Sequence, residues 1–173
     1  MKRYTHYIYI GVSIILALVM AGCKVSFSLN GASIDYTKVK TIHISDFQNL
    51  APIVYPPLAQ KLSEDLKDRF QKQTRLSQTN QQGDLNIEGE IVGYDLTSEA
   101  VQADAYAAKT KLTMRVNIRY TNTVNEDESF EREFTSFTVF DSSQMFNQVQ
   151  DQLVEDLTKD LINQIFNATV ENW

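Results

Sequence analysis

Apolar residues recur along this chain with two different periods, and the points where one period gives way to the other outline its elements. In "KVKTIHISDF", Val39, Thr41, His43 and Ser45 alternate with Lys40, Ile42, Ile44 and Asp46, which predicts a first strand near 38–46. "QNLAPIVYPP" breaks it, and Pro57 suits the first turn of a helix, where a missing N–H leaves no bond unmade. Leu58, Leu62, Leu66 and Phe70 then recur at every fourth position with charges between them, predicting an amphipathic helix over 57–72. "TRLSQTN" reads as a short second strand and "QQGD" as a turn.

"DLNIEGEIVGYDL" alternates through Leu85, Ile87, Gly89 and Ile91, then changes phase so that Tyr94 and Leu96 become its apolar positions. A bulge at Val92–Gly93 would produce that change. Beyond the Ala-rich "SEAVQADAYAA" comes the most regular strand. Leu112, Met114, Val116, Ile118 and Tyr120 share one face, and Lys111, Thr113, Arg115, Asn117 and Arg119 share the other, so one face is buried and one is wet. "NTVNEDE" turns the chain and "SFEREFTSFTVF" returns as the last strand. A long helix over 142–170 follows, with Asp141, Ser142 or Ser143 available to cap it. Its seam is Val149, Leu153, Leu157, Leu161 and Ile165, widened by Phe146, Val154, Ile162 and Phe166. The sum is an α/β (α+β) two-layer sandwich, with a mixed, mostly antiparallel sheet of four to five strands and two helices on one face. Its first two strands would be joined by a right-handed crossover through the first helix.

Ahead of these elements, Lys2 and Arg3 precede the charge-free run Tyr7–Ala21, the layout of an export signal. At roughly 15 residues the run is shorter than the roughly 20 a membrane-spanning helix needs. Narrow residues Ala21 and Gly22 lead to Cys23, the single cysteine of the chain. Met20-Ala21-Gly22-Cys23 resembles the bacterial lipobox, with Met in place of the usual branched residue. The resemblance implies a diacylglyceryl thioether on Cys23, cleavage before it, and a fatty acid such as palmitate on the new amino group. Two or three acyl chains anchor durably where one holds only marginally. The plainer alternatives are a buried small hydrophobe or an uncleaved signal anchor. The organisation expected is a cleaved signal at 1–22, a lipidated tether at 23–37 and one domain at 38–173. With one cysteine, no disulfide forms within the chain.

Composition, with 43% hydrophobic and 22% charged residues in 173, is that of an ordinary folded domain. Removing the signal takes Lys2 and Arg3 from the 16 basic residues and nothing from the 22 acidic ones, moving the net charge from −6 to about −8. A nucleic-acid partner is therefore not expected. Nor is an enzyme: His43 is the one histidine left after cleavage, no phosphate-cradling Gly-rich loop is present, and the acids of "SEDLKD" and "EDESFERE" read as solvated faces. No metal or cofactor is expected beyond the lipid on Cys23. One pattern remains as candidate chemistry. Lys109, Lys111, Arg115 and Arg119 share odd parity, so a regular strand projects them from its wet face over about 33 Å. Such a stripe could hold a phosphorylated or carboxylated ligand, with Arg offering forked donors. The structural alternative is cross-strand pairing with Glu131 and Glu133.

Taken together, "CKVSFSLNGASI", "VKTIHISDFQNLAPIVYPPLAQKLSEDLKDRFQKQTRL", "GDLNIEGEIVGYDL", "AAKTKLTMRVNIRYTNT" and the closing "IFNATVENW" resemble the lipopolysaccharide-assembly lipoprotein family, LptE. The resemblance implies a two-layer α/β domain, lipid-anchored on the periplasmic side of the outer membrane. It also implies a partner, the β-barrel LptD, whose lumen the domain plugs while assisting lipopolysaccharide delivery to the surface. The four basic residues are then the natural lipopolysaccharide contacts, an assignment that comes from parity and not from the family. Lys24 is not the aspartate that retains some lipoproteins in the inner membrane. Three alternatives stay open. "IHISDFQNLAP" is also similar to the start of curli-pore and TolB-type N-terminal domains, which would make the chain a lipoprotein that builds or pilots a secretion pore. A periplasmic scaffold is a second possibility, and a lipid carrier with a hollow core is a third.

Overall fold

The computed structural model describes residues 34–53, 55–99 and 108–170. The signal, Cys23 and most of the tether lie outside the described residues.

The first strand, β1, is Thr41–Ile44, shorter than the alternation predicts. Its start is fixed by Asp84, whose carboxylate accepts the backbone N–H groups of Lys40 at 2.8 Å and Thr41 at 2.9 Å. Upstream, Lys38 and Val39 donate their N–H groups back to the Asp35 carbonyl in a turn, so 38–40 are lost to the strand. A strand the sequence pattern missed follows at once: β2, Gln48–Asn49, pairs in parallel with Glu90 and Ile91. Two residues are too few to show a period, and the breakers after them read as loop. Helix α1 is Pro57–Gln73, with Leu58, Leu62, Leu66 and Phe70 fully buried. It closes where Thr74 turns both its N–H and its hydroxyl onto the Phe70 carbonyl. Strand β3, Ser77–Gln78, then lies parallel to β1 at Thr41 and Ile42, which is the strand–helix–strand crossover expected.

Three long strands make the rest of the sheet: β4, Leu85–Glu99; β5, Lys109–Asn122; and β6, Phe130–Asp141. They form an antiparallel meander, with the β4–β5 register slipping between Ile91 and Gly93 where the phase change predicted a bulge. Leu112, Met114, Val116, Ile118 and Tyr120 are all buried, as the alternation requires. Leu96 departs from expectation. It keeps the core-side phase opposite Leu112 but is 37% exposed, because β4 runs on past the buried core.

Helix α2 is Phe146–Val170, beginning later than residue 142. Residues 141–144 are instead a turn, in which the Asp141 carboxylate accepts the Ser143 N–H at 2.8 Å and the Asp141 carbonyl accepts that of Gln144 at 3.0 Å. Asp141 therefore stabilises the turn before the helix and does not cap the helix itself. The seam residues Leu153, Leu157, Leu161 and Ile165 are buried, with Val149 at the margin. The sheet order is β3-β1-β4-β5-β6, with β2 alongside β4. Both helices pack on one face of this mixed α+β sheet, in contact with each other through an edge-on pair of Phe70 and Phe166 rings 5.0 Å apart. The other face of the meander carries mostly polar side chains, with Phe137 and Val139 exposed among them.

Candidate functional site

The polar face is laid out in rows by strand register. From one end, the rows are Glu88–Arg119–Glu131, Glu90–Asn117–Glu133, Gly93–Arg115–Thr135, Asp95–Thr113–Phe137, Thr97–Lys111–Val139 and Glu99–Lys109–Asp141. All four predicted basic residues are present on it, on the central strand of the meander.

Three of the four are paired. Arg119 donates Nη1 to Glu88 at 3.3 Å and Nε to Glu131 at 3.2 Å. Arg115 Nη2 reaches Asp95 at 3.2 Å, and Lys111 Nζ is 3.6 Å from Glu99 and 5.3 Å from the centre of the Phe137 ring. Lys109, between Glu99 and Asp141, has no ion pair among the described residues. The charges shift one another as geometry requires. The hydrogen bond and charge of Glu131 raise Arg119, and hydrogen bonds from Asn117 and Arg119 hold the Glu131 carboxyl below its usual range. Arg115 lies flat over Gly93, so close that a Cβ there would fall 2.5 Å from its Nε.

Cross-strand pairing thus occurs, but mainly with the other neighbour. Glu131 meets Arg119 as parity predicts, whereas Glu133 stands opposite Asn117 without an ion pair among the described residues. The acids that neutralise the stripe are Glu88, Asp95 and Glu99 of β4. The signal was in the sequence: a one-residue bulge brings even-numbered Glu88 and odd-numbered Asp95 and Glu99 to the same face. These pairs are all partly exposed, a setting in which a salt bridge contributes about 0 to 1 kcal/mol and can be exchanged for another anion. A shallow cleft of about 90 Å³ lies among Glu88, Glu90, Asn117, Arg119 and Glu131.

Other chemistry is sparse among the described residues. His43 is a packed strand residue whose Nδ1 donates to the Thr79 carbonyl at 2.9 Å. Among the described residues, no three His, Cys, Asp or Glu side chains gather as a metal site would need, and no helix is long and apolar enough to cross a membrane. A hollow core of the kind a lipid carrier needs is absent from the helix–sheet interface, where Leu58, Leu62, Leu66, Ile87 and Ile91 are fully enclosed. A cavity of about 460 Å³ sits at the end of the sheet where Ile34 and Lys38 meet Tyr120, Asn122 and Val124. Tyr55, in the loop before α1, donates to Asp151 of α2, a bond that pushes its phenol up to about 12, and Gln150 of α2 donates to Tyr94 at 3.0 Å, tying helix to sheet.

A filled two-layer sandwich with a strand–helix–strand start and a long meander defines a class of small α/β domain that recurs among bacterial proteins. A minor lipoprotein of Acinetobacter baumannii has this fold, at 15% identity and a TM-score of 0.53 over 78% of this chain and 94% of that one. So do a hypothetical protein of Chlamydia trachomatis (7%, 0.51, 76% and 98%) and a protein of Xanthomonas campestris (12%, 0.51, 77% and 85%). No curated protein sequence matches the chain closely enough to count as a relative. The family model for lipopolysaccharide assembly, LptE, matches residues 39–169, and the chain belongs to that family.

Proposed function

We propose that this protein is an outer-membrane lipoprotein, fastened by acyl chains on Cys23, that partners and plugs an LptD-type β-barrel and assists lipopolysaccharide delivery to the cell surface. The observation that carries this reading is the family match, which spans the domain from Val39 to Thr169. The fold supports it physically. A plug needs a compact body with a polar surface for a polar lumen, and the meander offers one face of core and one of charge. The work is contact and placement, without a catalytic step.

Lipopolysaccharide bears phosphates and acidic sugars, so Lys109, Lys111, Arg115 and Arg119 are its proposed contacts. Lys111, Arg115 and Arg119 would bind it by exchanging carboxylate partners for phosphate, Arg in a forked geometry, and Lys109 without such an exchange. The acidic rows around them confer selectivity: an isolated anion meets neighbours of its own sign, and a large amphiphile with several phosphates is needed to displace several pairs together. Affinity purification of the tagged protein in mild detergent tests the partnership. Recovery of the barrel in equal amount supports it; a homo-oligomeric ring without a barrel replaces it with a secretion-pore role.

A further inference from the structure

Strand β6 closes the sheet on one side and is paired on one side only, with β5. At 12 residues it is long for an edge, whereas the opposite edge, β3, has two. Edge strands are normally blunted by Lys, Pro, bulges or brevity. β6 has no Lys or Pro, and its register with β5 runs unbroken from Tyr120–Phe130 to Lys109–Asp141.

The direction of its backbone groups follows from two bonds. In an antiparallel ladder, alternate residues turn N–H and C=O to opposite sides. The Ser142 N–H reaches the Ala108 carbonyl at 3.0 Å, so even-numbered residues face β5. The Thr135 carbonyl accepts from Gln164 of α2 at 3.1 Å, so odd-numbered residues face outward. Apart from Thr135, the outward groups of Glu131, Glu133, Phe137 and Val139 have no hydrogen-bond partner among the described residues. Side chains match this openness: Phe137 is 64% and Val139 39% exposed, within the uncharged run Phe134–Phe140. On the polar face that run is bracketed by acids, Glu131 and Glu133 before it and Asp141 after it, while Arg132, of opposite parity, lies over the Phe130 and Phe134 rings.

The bracket argues about the occupant. Two copies of β6 joined by a two-fold axis at Phe137, the register that lays the whole uncharged run 134–140 against itself, would set Glu133 against Asp141, and like charges directly opposed destabilise a strand pair. A foreign strand with cations at those positions meets no such penalty. We propose that β6 is a docking edge for an extended segment of a partner polypeptide, uncharged opposite Thr135–Val139 and carrying Lys or Arg opposite Glu133 and Asp141. The segment adds to the sheet as a strand, its main chain supplying the bonds and its side chains the selectivity. The inference rests on the partnership proposed above and assigns the segment to the barrel protein.

Hydrogen exchange at single-residue resolution, on the mature lipoprotein alone and in the purified complex, tests this. Alone, the amides of Phe137 and Val139 should exchange freely while those of Thr138 and Phe140 are protected. In the complex, Phe137 and Val139 should slow by about 10-fold or more, as one or two new hydrogen bonds require. The pair Phe137→Pro with Val139→Pro removes two outward N–H groups and leaves the ladder to β5 intact, so the complex should weaken by about 10-fold. Should that pair fail to fold, the exchange data on the native sequence still decide. A complex in which Phe137 and Val139 exchange as fast as in the free protein overturns the docking edge and leaves the partnership standing. A homodimer protected at the same amides overturns it in favour of a second copy. Failure to recover any barrel removes both, a result distinct from either.

Discussion

Two glycines of β4 serve opposite faces of the sheet by the same means, the absence of a side chain. At Gly89 an added Cβ would lie 2.5 Å from Phe47 Cζ, so the ring that seals the core beside β2 rests on bare backbone. Gly89→Ala should therefore lose about 1–3 kcal/mol through overpacking, read by urea unfolding, and combining it with Phe47→Leu should lose less than the sum of the two. Asp84 is a second single-residue control point. Backbone N–H bonds from Lys40 and Thr41 hold its carboxyl below the usual range. A depressed carboxylate contributes stability that is present above its unfolded pKa of about 3.9 and lost as pH falls toward its folded value. Asp84→Asn should thus be less stable than the native sequence at pH 7 and show a shallower loss of melting temperature below pH 4. Equal pH slopes would contradict that role. On the polar face, Arg115→Gln with Arg119→Gln should weaken binding of purified lipopolysaccharide several-fold with little change in melting temperature, because the pairs broken are partly exposed. Unchanged binding would confine those arginines to holding strands in register.

Among the elements, α1 carries the most legible code and β2 the least. Leu58, Leu62, Leu66 and Phe70 are a period-four stripe, and all four are fully buried. The β4 bulge and the β5 alternation were equally readable, because one buried face and one wet face impose a strict period of two. What the pattern missed has two causes. β2 exists because β4, some forty residues further along, offers it Glu90 and Ile91, whereas the start of α2 is delayed by a local turn that Asp141 closes first, a competition between two hydrogen-bonding patterns that apolar spacing does not report. The basic stripe was legible as a row, but its partners were legible only once the bulge was carried through β4. A bond that no sequence period reveals also joins α1 to the β1–β2 corner. Ser63, buried in the helix, accepts the Phe47 N–H at 2.8 Å and donates to the Ala59 carbonyl. Ser63→Ala should strand that N–H and cost about 1–3 kcal/mol, measured by thermal unfolding; a neutral result would mean that water replaces the hydroxyl.

At the scale of the whole molecule, the described residues form a packed α/β body, and the proposed function adds an acyl anchor at Cys23. The folded part supplies a closed core and a charged face, and the family match covers it almost completely. The proposed anchoring depends on Cys23. Cys23→Ala should abolish metabolic labelling with fatty acid and leave an unprocessed precursor, and labelling at the native level would remove the lipoprotein reading. The proposed partnership and anchor meet in one measurement, native mass spectrometry of the tagged protein released from detergent micelles. The expected species is one barrel with one copy of this chain, cut before Cys23 and heavier by its acyl groups. An oligomer of this chain without a barrel, or a full-length chain with a bare thiol, would contradict the account.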